Sequence, residues 1–392
     1  MEHPVLVLNA GSSSLKFSVF ETRADHSLTA DVHGEVDRLN DQPHLTVKSP
    51  QGQTLTDQSV AGRGHHGAMD AIHAWFAAHV GDERGFAGIG HRVVHGGQRF
   101  SEPVRIDAGV LAAIEALTPL APLHQPHHVE AIRAVTAIAP GVPQVACFDT
   151  AFHCTIPMIE REFALPHALT GQGIVRYGFH GLSYEYIATA LAALDPRWKE
   201  RRTVVAHLGN GASLCALADG KSAATTMGFS ALDGVPMGTR TGALDPGVLL
   251  YLLREGRSVN EVERLLYNES GLLGVSGISS DMRELEQSTA PEAAHAIDLF
   301  TYRAAREVAA LAGVLGGLDT LVFTAGIGEH APGVRAAICK RAAWLGIALD
   351  EAANTANAAV ISSPQSVVTV RVIPTDENLM IARHTLGLLK QG

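Results

Sequence analysis

A strand–turn–strand pattern occurs twice in this chain, and the two copies lie about half the chain length apart. The first copy, residues 5–20, runs from the Val-rich segment VLVLNA through the polar turn GSSS into LKFSVF, in which apolar residues alternate. The second copy, residues 203–217, runs from TVVAHL through GNGA into SLCAL. A repeat at this distance predicts a duplicated domain, because solenoid repeats have periods of only about 20–50 residues.

Both turns carry groups that suit an anionic oxygen ligand such as a phosphate chain. The first turn offers Asn9, Ser12 with two further serines, and Lys16 just beyond them. A glycine in each turn lets a ligand approach the backbone, whose amides donate to anions. A polar hairpin tip without a ligand explains either turn alone, but the second copy favours two phosphate-type turns that face a shared cleft.

The composition is that of a globular protein with two domains. The 392 residues exceed what one core usually covers, and 46% of them are hydrophobic. A net charge of −10 without a basic cluster argues against nucleic acid or an acidic membrane surface as a partner. The four cysteines form no C-x-x-C pair, so neither a disulfide framework nor a zinc ribbon is indicated. We expect a cytoplasmic protein without a signal peptide or a membrane-spanning segment.

Two charged residues are associated with apolar strands. Arg92 lies within GIGHRVVHGG, where burying its cation is costly without an anionic partner. That partner is either a ligand or a nearby Asp or Glu in a structural ion pair. Asp149 ends the apolar strand 142–150, so its carboxylate points into the crevice where α/β proteins bind ligands.

Three later segments are rich in glycine. Two of them hold a histidine or an arginine between glycines, and the third is a backbone turn. His180 lies in the loop Arg176–Gly181, and Arg240 lies in the loop Met237–Gly242. The segment Gly326–His330 follows a short apolar strand and precedes a helix, which is where backbone amides can meet a nucleotide.

Two other patterns have weaker support. The segment Gly62–Gly67 matches the dinucleotide-binding fingerprint, but the run 51–60 before it is polar where a buried parallel strand should be apolar. We therefore interpret it as a flexible entry into the helix predicted at 68–79. The histidine cluster of residues 124–128 is compatible with a metal site, but no carboxylate or cysteine at ligand spacing was identified beside it, which favours a polar turn.

In their order along the chain, these motifs resemble those of the acetate kinase family. The resemblance is carried by the segments Asn9–Lys16, His91–Gly97, Phe148–His153, Arg176–Gly181, His207–Gly211, Met237–Gly242 and Gly326–Glu329. It extends from residue 5 to the terminal helix. The family belongs to the superfamily of acetate and sugar kinases, heat-shock 70 chaperones and actin.

The resemblance implies an α/β fold of two duplicated ribonuclease-H-like (actin-like ATPase) domains with an interdomain active-site cleft. The domains would be 1–150 plus 380–392 and 151–379, with most of the nucleotide site in the second. The implied activity is the reversible transfer of the ATP γ-phosphoryl group to acetate, giving acetyl phosphate and ADP, with Mg²⁺ (or Mn²⁺). A homodimer is also implied.

The implied chemistry suits the residues, since a carboxylate acceptor is already ionised at pH 7, whereas crowded anions need positive charge. A propionate kinase of the same family is an alternative. A kinase for a hydroxyl acceptor would need a carboxylate base, and Asp149 is the candidate for it. A chaperone-type ATPase module would normally carry a separate peptide-binding domain.

The resemblance also assigns roles to residues near the reacting groups. Arg92 would bind the substrate carboxylate, and Arg240 with His180 would face the phosphoryl group in flight. Asp149 is assigned to proton transfer, but a carboxylate brings no proton, so it could instead orient Mg²⁺-bound water or Arg240. The metal would lie at Asn9 and Glu377, whose oxygens suit a hard cation.

The remaining assignments concern the pocket walls and the nucleotide. The pocket for the acyl group, beside Arg92, would be lined by Val94, Leu123 and Phe179. The phosphates would be held by Ser12, Lys16 and the backbone of His207, Leu208, Gly209, Asn210 and Gly211. The ribose and adenine would be surrounded by Asp281, Met282, Arg283, Gly326, Ile327, Gly328, Glu329 and His330. A plain surface salt bridge is the alternative for Asp281 and Arg283.

Three positions depart from the family's usual pattern. Ala243 stands where the family usually has Asp, and Gln125 stands where it usually has Asn. Ala231 occupies a place where the family often has Pro in the wall around the acetate methyl group. Its smaller side chain predicts slightly more room for the acyl chain.

Overall fold

The structure is a computed structural model that describes residues 3–23, 27–80 and 85–390. The chain divides into two compact units, one formed by Met1–Ala151 with Asp376–Gly392 and the other by Phe152–Thr375. The sequence placed the return of the chain to the first domain at residue 380. In the structure it returns at Asp376, so Glu377 belongs to the first unit.

The first unit contains an eight-stranded sheet. Its strands are β1 (Val5–Ala10), β2 (Leu15–Thr22), β3 (Leu28–Asp37), β4 (His44–Lys48), β5 (Thr54–Ser59), β6 (Gly88–Val93), β7 (Val104–Arg105) and β8 (Gln144–Phe148). Their order is β5-β4-β3-β2-β1-β6-β8-β7. β1, β2 and β3 pair antiparallel, whereas β6 is parallel to both β1 and β8.

The second unit contains a five-stranded sheet. Its strands are β9 (Thr203–Leu208), β10 (Ala212–Ala218), β11 (Lys221–Thr225), β12 (Thr320–Thr324) and β13 (Thr369–Val372). The order β11-β10-β9-β12-β13 has the first three strands antiparallel and the last three parallel. The central strands β3-β2-β1-β6-β8 of the first sheet have the same order and directions, so the predicted duplication is confirmed.

Helices connect and cover the strands of both sheets. Those of the first unit are α1 (Gly64–Val80), α2 (Ala108–Glu115), α3 (Gln125–Ile138) and α15 (Glu377–Lys390). Those of the second are α4 (Met158–Arg161), α5 (His167–Gly171), α6 (Gly181–Leu194), α7 (Pro246–Arg254), α8 (Val259–Asn268), α9 (Gly271–Ser276), α10 (Met282–Gln287), α11 (Pro291–Leu315), α12 (Ala325–His330), α13 (Pro332–Arg341) and α14 (Glu351–Thr355). Among the described residues, no helix combines the length and the apolar character that a membrane crossing requires.

Each sheet has a core against its helices. In the first unit, apolar side chains of β1 and β2 such as Leu6 and Phe17 pack with Ile72 of α1 and Val135 of α3. In the second, all six residues of β9 are buried, as expected for the central strand of a sheet covered on both faces. Burying each large apolar side chain contributes about 1.5–3 kcal/mol, so the Val-rich first strand of each repeat is held firmly. The polar turns that follow these strands therefore start from rigid positions.

The glycine segment before α1 does not follow a parallel strand. The preceding β5 pairs antiparallel with β4 at the edge of the sheet. A Cβ on Gly67 would lie 2.3 Å from the carbonyl carbon of Gly62, so the two glycines let the backbone of the loop contact the start of α1. The dinucleotide-binding interpretation is therefore excluded, and the glycines serve close packing.

Candidate active site

Arg92 and Asp149 form an ion pair at the carboxyl ends of the parallel strands β6 and β8. Arg92 Nε donates to Asp149 Oδ1 at 3.0 Å, and Arg92 Nη2 donates to Oδ2 at 2.6 Å. The Asp149 side chain is 2% exposed and that of Arg92 is 20% exposed. Glu377, the first residue of α15, places a carboxylate oxygen 3.9 Å from Arg92 Nε.

The two carboxylates keep Arg92 charged. Burial alone would lower the pKa of Arg92, but the charges of Asp149 and Glu377 outweigh it and raise the pKa above its usual value. Arg92 Nη1 makes no hydrogen bond with any residue that the structure describes. The structural ion pair considered as an alternative is thus present, and one edge of the guanidinium remains for a ligand.

The first polar turn aligns two predicted residues. Asn9 and Lys16 are directly opposite each other in the β1–β2 pairing, which puts both side chains on one face of the sheet. The turn is closed by the Gly11 N–H, which donates to the Ser14 carbonyl at 2.8 Å, and Ser12 lies exposed within it. Lys16 is 60% exposed, and its ammonium lies 3.9 Å from the carboxylate of Glu35.

His180 lies at the start of α6 in a left-handed conformation with φ of 59°. A non-glycine residue there costs about 1–3 kcal/mol, so the surroundings must hold it. Its Nδ1 lies 2.9 Å from Ser213 Oγ, and its ring stacks on His207 with centroids 4.2 Å apart. A Cβ on Gly211 would lie 3.2 Å from His180 Nε2, so this ring reaches the β9–β10 turn.

Arg240 approaches the same turn from the other predicted loop. A Cβ on Gly211 would lie 3.9 Å from Arg240 Nη1, and this Nη1 donates to the Ala231 carbonyl at 3.1 Å. Gly271, at φ of 62°, packs against the loop so closely that a Cβ would lie 2.1 Å from the Met237 carbonyl oxygen. The sequence predicts Ala231 only as part of the pocket wall, but its backbone carbonyl also orients Arg240.

A cavity of about 550 Å³ lies in the second unit beside the β9–β10 turn. Its lining includes eight of the residues predicted for the nucleotide: Gly209, Asn210, Asp281, Met282, Arg283, Gly326, Ile327 and His330. It also includes three residues that the sequence analysis missed: Ser280, Glu286 and Ala331. Glu286 lies three residues after Arg283 on α10, so helical periodicity could have identified it. The other residues predicted for the nucleotide in this unit, which do not line the cavity, are His207, Leu208, Gly211, Gly328 and Glu329.

Asp281 and Arg283 also form the surface salt bridge considered as an alternative. Asp281 caps α10 by accepting the Arg283 N–H at 2.8 Å, and Arg283 Nη2 lies 2.6 Å from its other oxygen. The hydrogen bond from the Arg283 side chain lowers the pKa of Asp281 to about 2. Because Arg283 is 81% exposed, the pair adds little to stability. The position of the pair at the cavity therefore says more about its role than its contribution to stability does.

The segment expected to be a glycine loop is the short helix α12, and Arg335 supports it from behind. Arg335 is fully buried, and its Nη1 donates to the carbonyls of Gly328 and Glu329 at 2.9 Å. Its Nε and Nη2 donate to the side chain and carbonyl of Asn354, both at 2.8 Å. This role of Arg335 could not be predicted from the sequence, because most of its acceptors are backbone carbonyls rather than acidic side chains.

Replacing Arg335 with alanine should lower the stability of the protein by more than about 3 kcal/mol, because several buried carbonyls lose their donors at about 1–3 kcal/mol each. Binding of the nucleotide predicted for this cavity should weaken as well, since Gly326 and Ile327 of α12 line the cavity. Chemical unfolding and ATP titration would measure both effects. Lys340→Ala is the matched control, because Lys340 is exposed on α13, the helix that carries Arg335. This change should alter neither the stability nor the nucleotide binding.

The acyl-pocket residues are divided between the two units. Val94, two residues after Arg92, is buried, and Leu123 is 39% exposed in the turn before α3. Phe179 is buried in the second unit, where its carbonyl accepts a hydrogen bond from His153 Nε2 at 2.9 Å. Their assembly into one pocket stays a prediction.

One departure from the family pattern, Gln125, has a structural role. Gln125 is fully buried, and its Nε2 donates to the His95 and Ile114 carbonyls at 3.0 and 3.1 Å. The backbone N–H of Ala243 donates to the Gly234 carbonyl at 2.7 Å. Gln125 therefore joins the start of α3 to the end of α2.

The duplicated five-stranded sheet with a polar turn after its first strand is the actin-like ATPase fold. Residues 4–383 match the acetokinase family, and this chain belongs to that family. Its sequence is 51% identical to an acetate kinase from Rhodopseudomonas palustris over the whole of both chains. An acetate kinase from Rhizobium meliloti is 48% identical, with 98% of each chain covered.

Solved structures give the same result. A propionate kinase from Francisella tularensis superposes with a TM-score of 0.93 at 39% identity, covering 99% of this chain and all of that one. An acetate kinase from Porphyromonas gingivalis superposes with a TM-score of 0.89 at 37% identity and the same coverage. The family and the fold expected from the motifs are therefore confirmed.

Proposed function

We propose that this chain catalyses the reversible, Mg²⁺-dependent transfer of the ATP γ-phosphoryl group to acetate, giving acetyl phosphate and ADP. The observation that carries the proposal is the bidentate ion pair between Asp149 and Arg92. A hydroxyl acceptor would need Asp149 as a free base, and here both of its oxygens accept hydrogen bonds from a guanidinium. An acetate ion needs no base, because it is already ionised at pH 7.

In this proposal Arg92 binds the substrate carboxylate through Nη1, while Asp149 fixes the guanidinium plane. Asp149 thus acts as a positioning residue for Arg92, not as an acid or base. Arg240 and His180 stabilise the charge that develops on the phosphoryl oxygens, where fixed groups outperform water, which must reorganise. The attacking oxygen of acetate, the γ-phosphorus and the leaving oxygen of ADP lie in line. The bond from acetate to phosphorus forms as the bond from phosphorus to ADP breaks.

The nucleotide is assigned to the second unit's cavity and to both polar turns. Asp281, Arg283 and the start of α12 surround the ribose and adenine. The backbone of the β9–β10 turn, together with Ser12 and Lys16, holds the phosphates. Two other predicted nucleotide residues contact their neighbours in the second unit. The His207 ring stacks on His180, and the Glu329 carboxylate accepts a hydrogen bond from the Thr375 N–H at 3.1 Å.

The residues proposed for Mg²⁺ fit that ion chemically. Asn9 and Glu377 offer an amide oxygen and a carboxylate, which a hard cation prefers. The cluster of Arg92, Asp149 and Glu377 contains one cation and two anions, so it attracts further positive charge. When bound, Mg²⁺ (or Mn²⁺) would neutralise the charge on the β- and γ-phosphates.

Trapping of acyl phosphate with hydroxylamine tests the proposal. With Mg²⁺-ATP, acetate should give acetyl hydroxamate, and glycerol or glucose should give no ADP above background. Because alanine at 231 adds roughly the room of a methylene, worth about 1–3 kcal/mol of discrimination, propionate should react at a noticeable fraction of the acetate kcat/KM and butyrate poorly. A clear preference for propionate would reassign the enzyme to that substrate, and efficient glycerol phosphorylation would refute the proposal.

We also propose that the protein is a cytoplasmic homodimer. Large apolar side chains on α7 are exposed in the single chain, including Leu250 and Tyr251 at 52% and 60%. Such a patch on a surface helix favours a protein contact. Light scattering of the full chain measures the mass, and a monomer at micromolar concentration would contradict this part of the proposal.

A further inference from the structure

Three side chains that the proposed reaction does not use meet in the first unit. His65 lies at the start of α1, and His127 and Glu130 lie three residues apart on α3. One ligand atom of each lies within 4.8 Å of the other two. His65 Nδ1 is 3.0 Å from a Glu130 oxygen, and the rings of His65 and His127 stack with centroids 5.6 Å apart.

The hydrogen bonds of His65 show why the cluster needs a cation. Its Nε2 lies 2.9 Å from the Gly11 carbonyl oxygen, which can only accept, so Nε2 carries a proton. In the neutral ring Nδ1 then presents a lone pair to the carboxylate of Glu130. Two lone pairs at this distance repel each other unless a proton or a metal ion lies between them.

The hydrogen bond to Gly11 also matches the usual surroundings of a metal-binding histidine. Such a histidine donates its other ring N–H to a backbone carbonyl or carboxylate, which fixes the tautomer and the ring orientation. The His65 side chain is 3% exposed, so its position is fixed. Glu130 is 56% exposed, which leaves the cluster open to solvent ions.

We propose that His65 Nδ1, a ring nitrogen of His127 and the carboxylate of Glu130 bind a divalent transition-metal ion of the Zn²⁺ class. Two imidazoles and a carboxylate are a common zinc donor set, with water in the fourth position. Tetrahedral bonds of about 2.1 Å place ligand atoms roughly 3.4 Å apart, and the three ligand atoms here all lie within 4.8 Å of one another. The nitrogen ligands disfavour Mg²⁺, so this site is chemically distinct from the one proposed for catalysis.

The position of the cluster gives the site a consequence. The ion would join α1 to α3, since His65 lies on α1 and the other two ligands lie on α3. His65 also donates to the carbonyl of Gly11, so the ion would fix the first polar turn as well. The prediction of a polar turn at residues 124–128 missed Glu130, three residues after His127, and local sequence spacing could not place His65 beside them. Metal binding should therefore stabilise the first unit without entering the reaction.

The test uses the full-length, untagged protein after chelator treatment. Zn²⁺ is titrated by calorimetry, Co²⁺ serves as a visible-absorption probe of tetrahedral coordination, and thermal unfolding is followed with and without Zn²⁺. The unchanged protein should bind one Zn²⁺ tightly and become more stable in its presence. His127→Ala and Glu130→Gln should each weaken Zn²⁺ binding by at least about 10-fold and abolish the tetrahedral Co²⁺ spectrum.

His66→Ala is the matched control, because the exposed neighbouring His66 lies outside the cluster and should leave binding unchanged. Equal Zn²⁺ binding by all variants would mean that scattered surface histidines bind the ion, and would overturn the proposal. Absence of Zn²⁺ binding to the unchanged protein would also overturn it. Circular dichroism shows that each variant is folded. Acetyl hydroxamate formation should be unchanged in these variants, so a failure of the metal site can be told apart from a failure of the proposed function.

Discussion

Arg240→Ala is expected to lower kcat by about 30- to 1,000-fold, equivalent to about 2–4 kcal/mol of barrier. The guanidinium is held by the Ala231 carbonyl at 3.1 Å and reaches the turn assigned to the phosphates. We propose that it meets full charge only in the transition state, so the KM for ATP should change little. Steady-state kinetics with varied ATP and varied acetate separates the two parameters.

Two further variants sharpen this prediction. Arg240→Lys keeps the charge but replaces the planar guanidinium by a single point of donation, so it should recover part of the lost kcat. Arg306→Ala removes an exposed arginine from α11 and should leave the kinetics unchanged. Near-normal turnover by a folded Arg240→Ala protein would remove Arg240 from the proposed mechanism.

Asp149→Ala should destabilise the protein and impair acetate binding together. Removing one partner of a buried ion pair costs about 3–5 kcal/mol, and the lower end applies here because Arg92 is 20% exposed. Without Asp149 the guanidinium loses its fixed plane, so the KM for acetate should rise more than the KM for ATP. Urea unfolding and acetate titration measure these changes.

The coupling of the pair is tested by a double-mutant cycle. Arg92→Ala combined with Asp149→Ala should cost less than the sum of the single changes, because the single variants leave an unpaired charge. Glu115→Ala, which breaks the exposed ion pair with Arg133, is the control and should cost no more than about 1 kcal/mol. If Asp149→Ala changed kcat alone, with stability and the acetate KM intact, a direct role in proton transfer would have to replace the positioning role.

The elements that local pattern determines could be predicted from the sequence. The Val-rich strands and alternating apolar residues of the two hairpins correspond to β1–β2 and β9–β10. Asp107 caps α2 by accepting the Val110 N–H, which is the usual role of an Asp just before a helix. The ends of elements are harder to predict: the apolar pattern of α15 starts at Leu379, whereas the helix begins at Glu377, because its first two residues are polar. The glycines of 326–330 suggested a loop, but the contacts of Arg335 hold this segment as a helix.

The partners of long-range contacts could not be predicted from the sequence. Arg92 indicated a need for an anion, but only the parallel pairing of β6 and β8 places Asp149 beside it. His65 lies 62 residues before His127 in the sequence, so no local spacing relates them. Motif resemblance could supply most residues of the nucleotide cavity, whereas the supporting residues Arg335 and Ala231 depend on packing.

The most direct test of the central claim is the fate of the acetate oxygens. We propose that an oxygen of acetate attacks the γ-phosphorus of ATP, so ¹⁸O-labelled acetate should give acetyl phosphate with the label in the bridge between carbon and phosphorus. Phosphorus NMR should show the isotope shift on acetyl phosphate and unlabelled ADP as the other product. Acetyl phosphate without bridging label, or formation of AMP and pyrophosphate, would contradict the account.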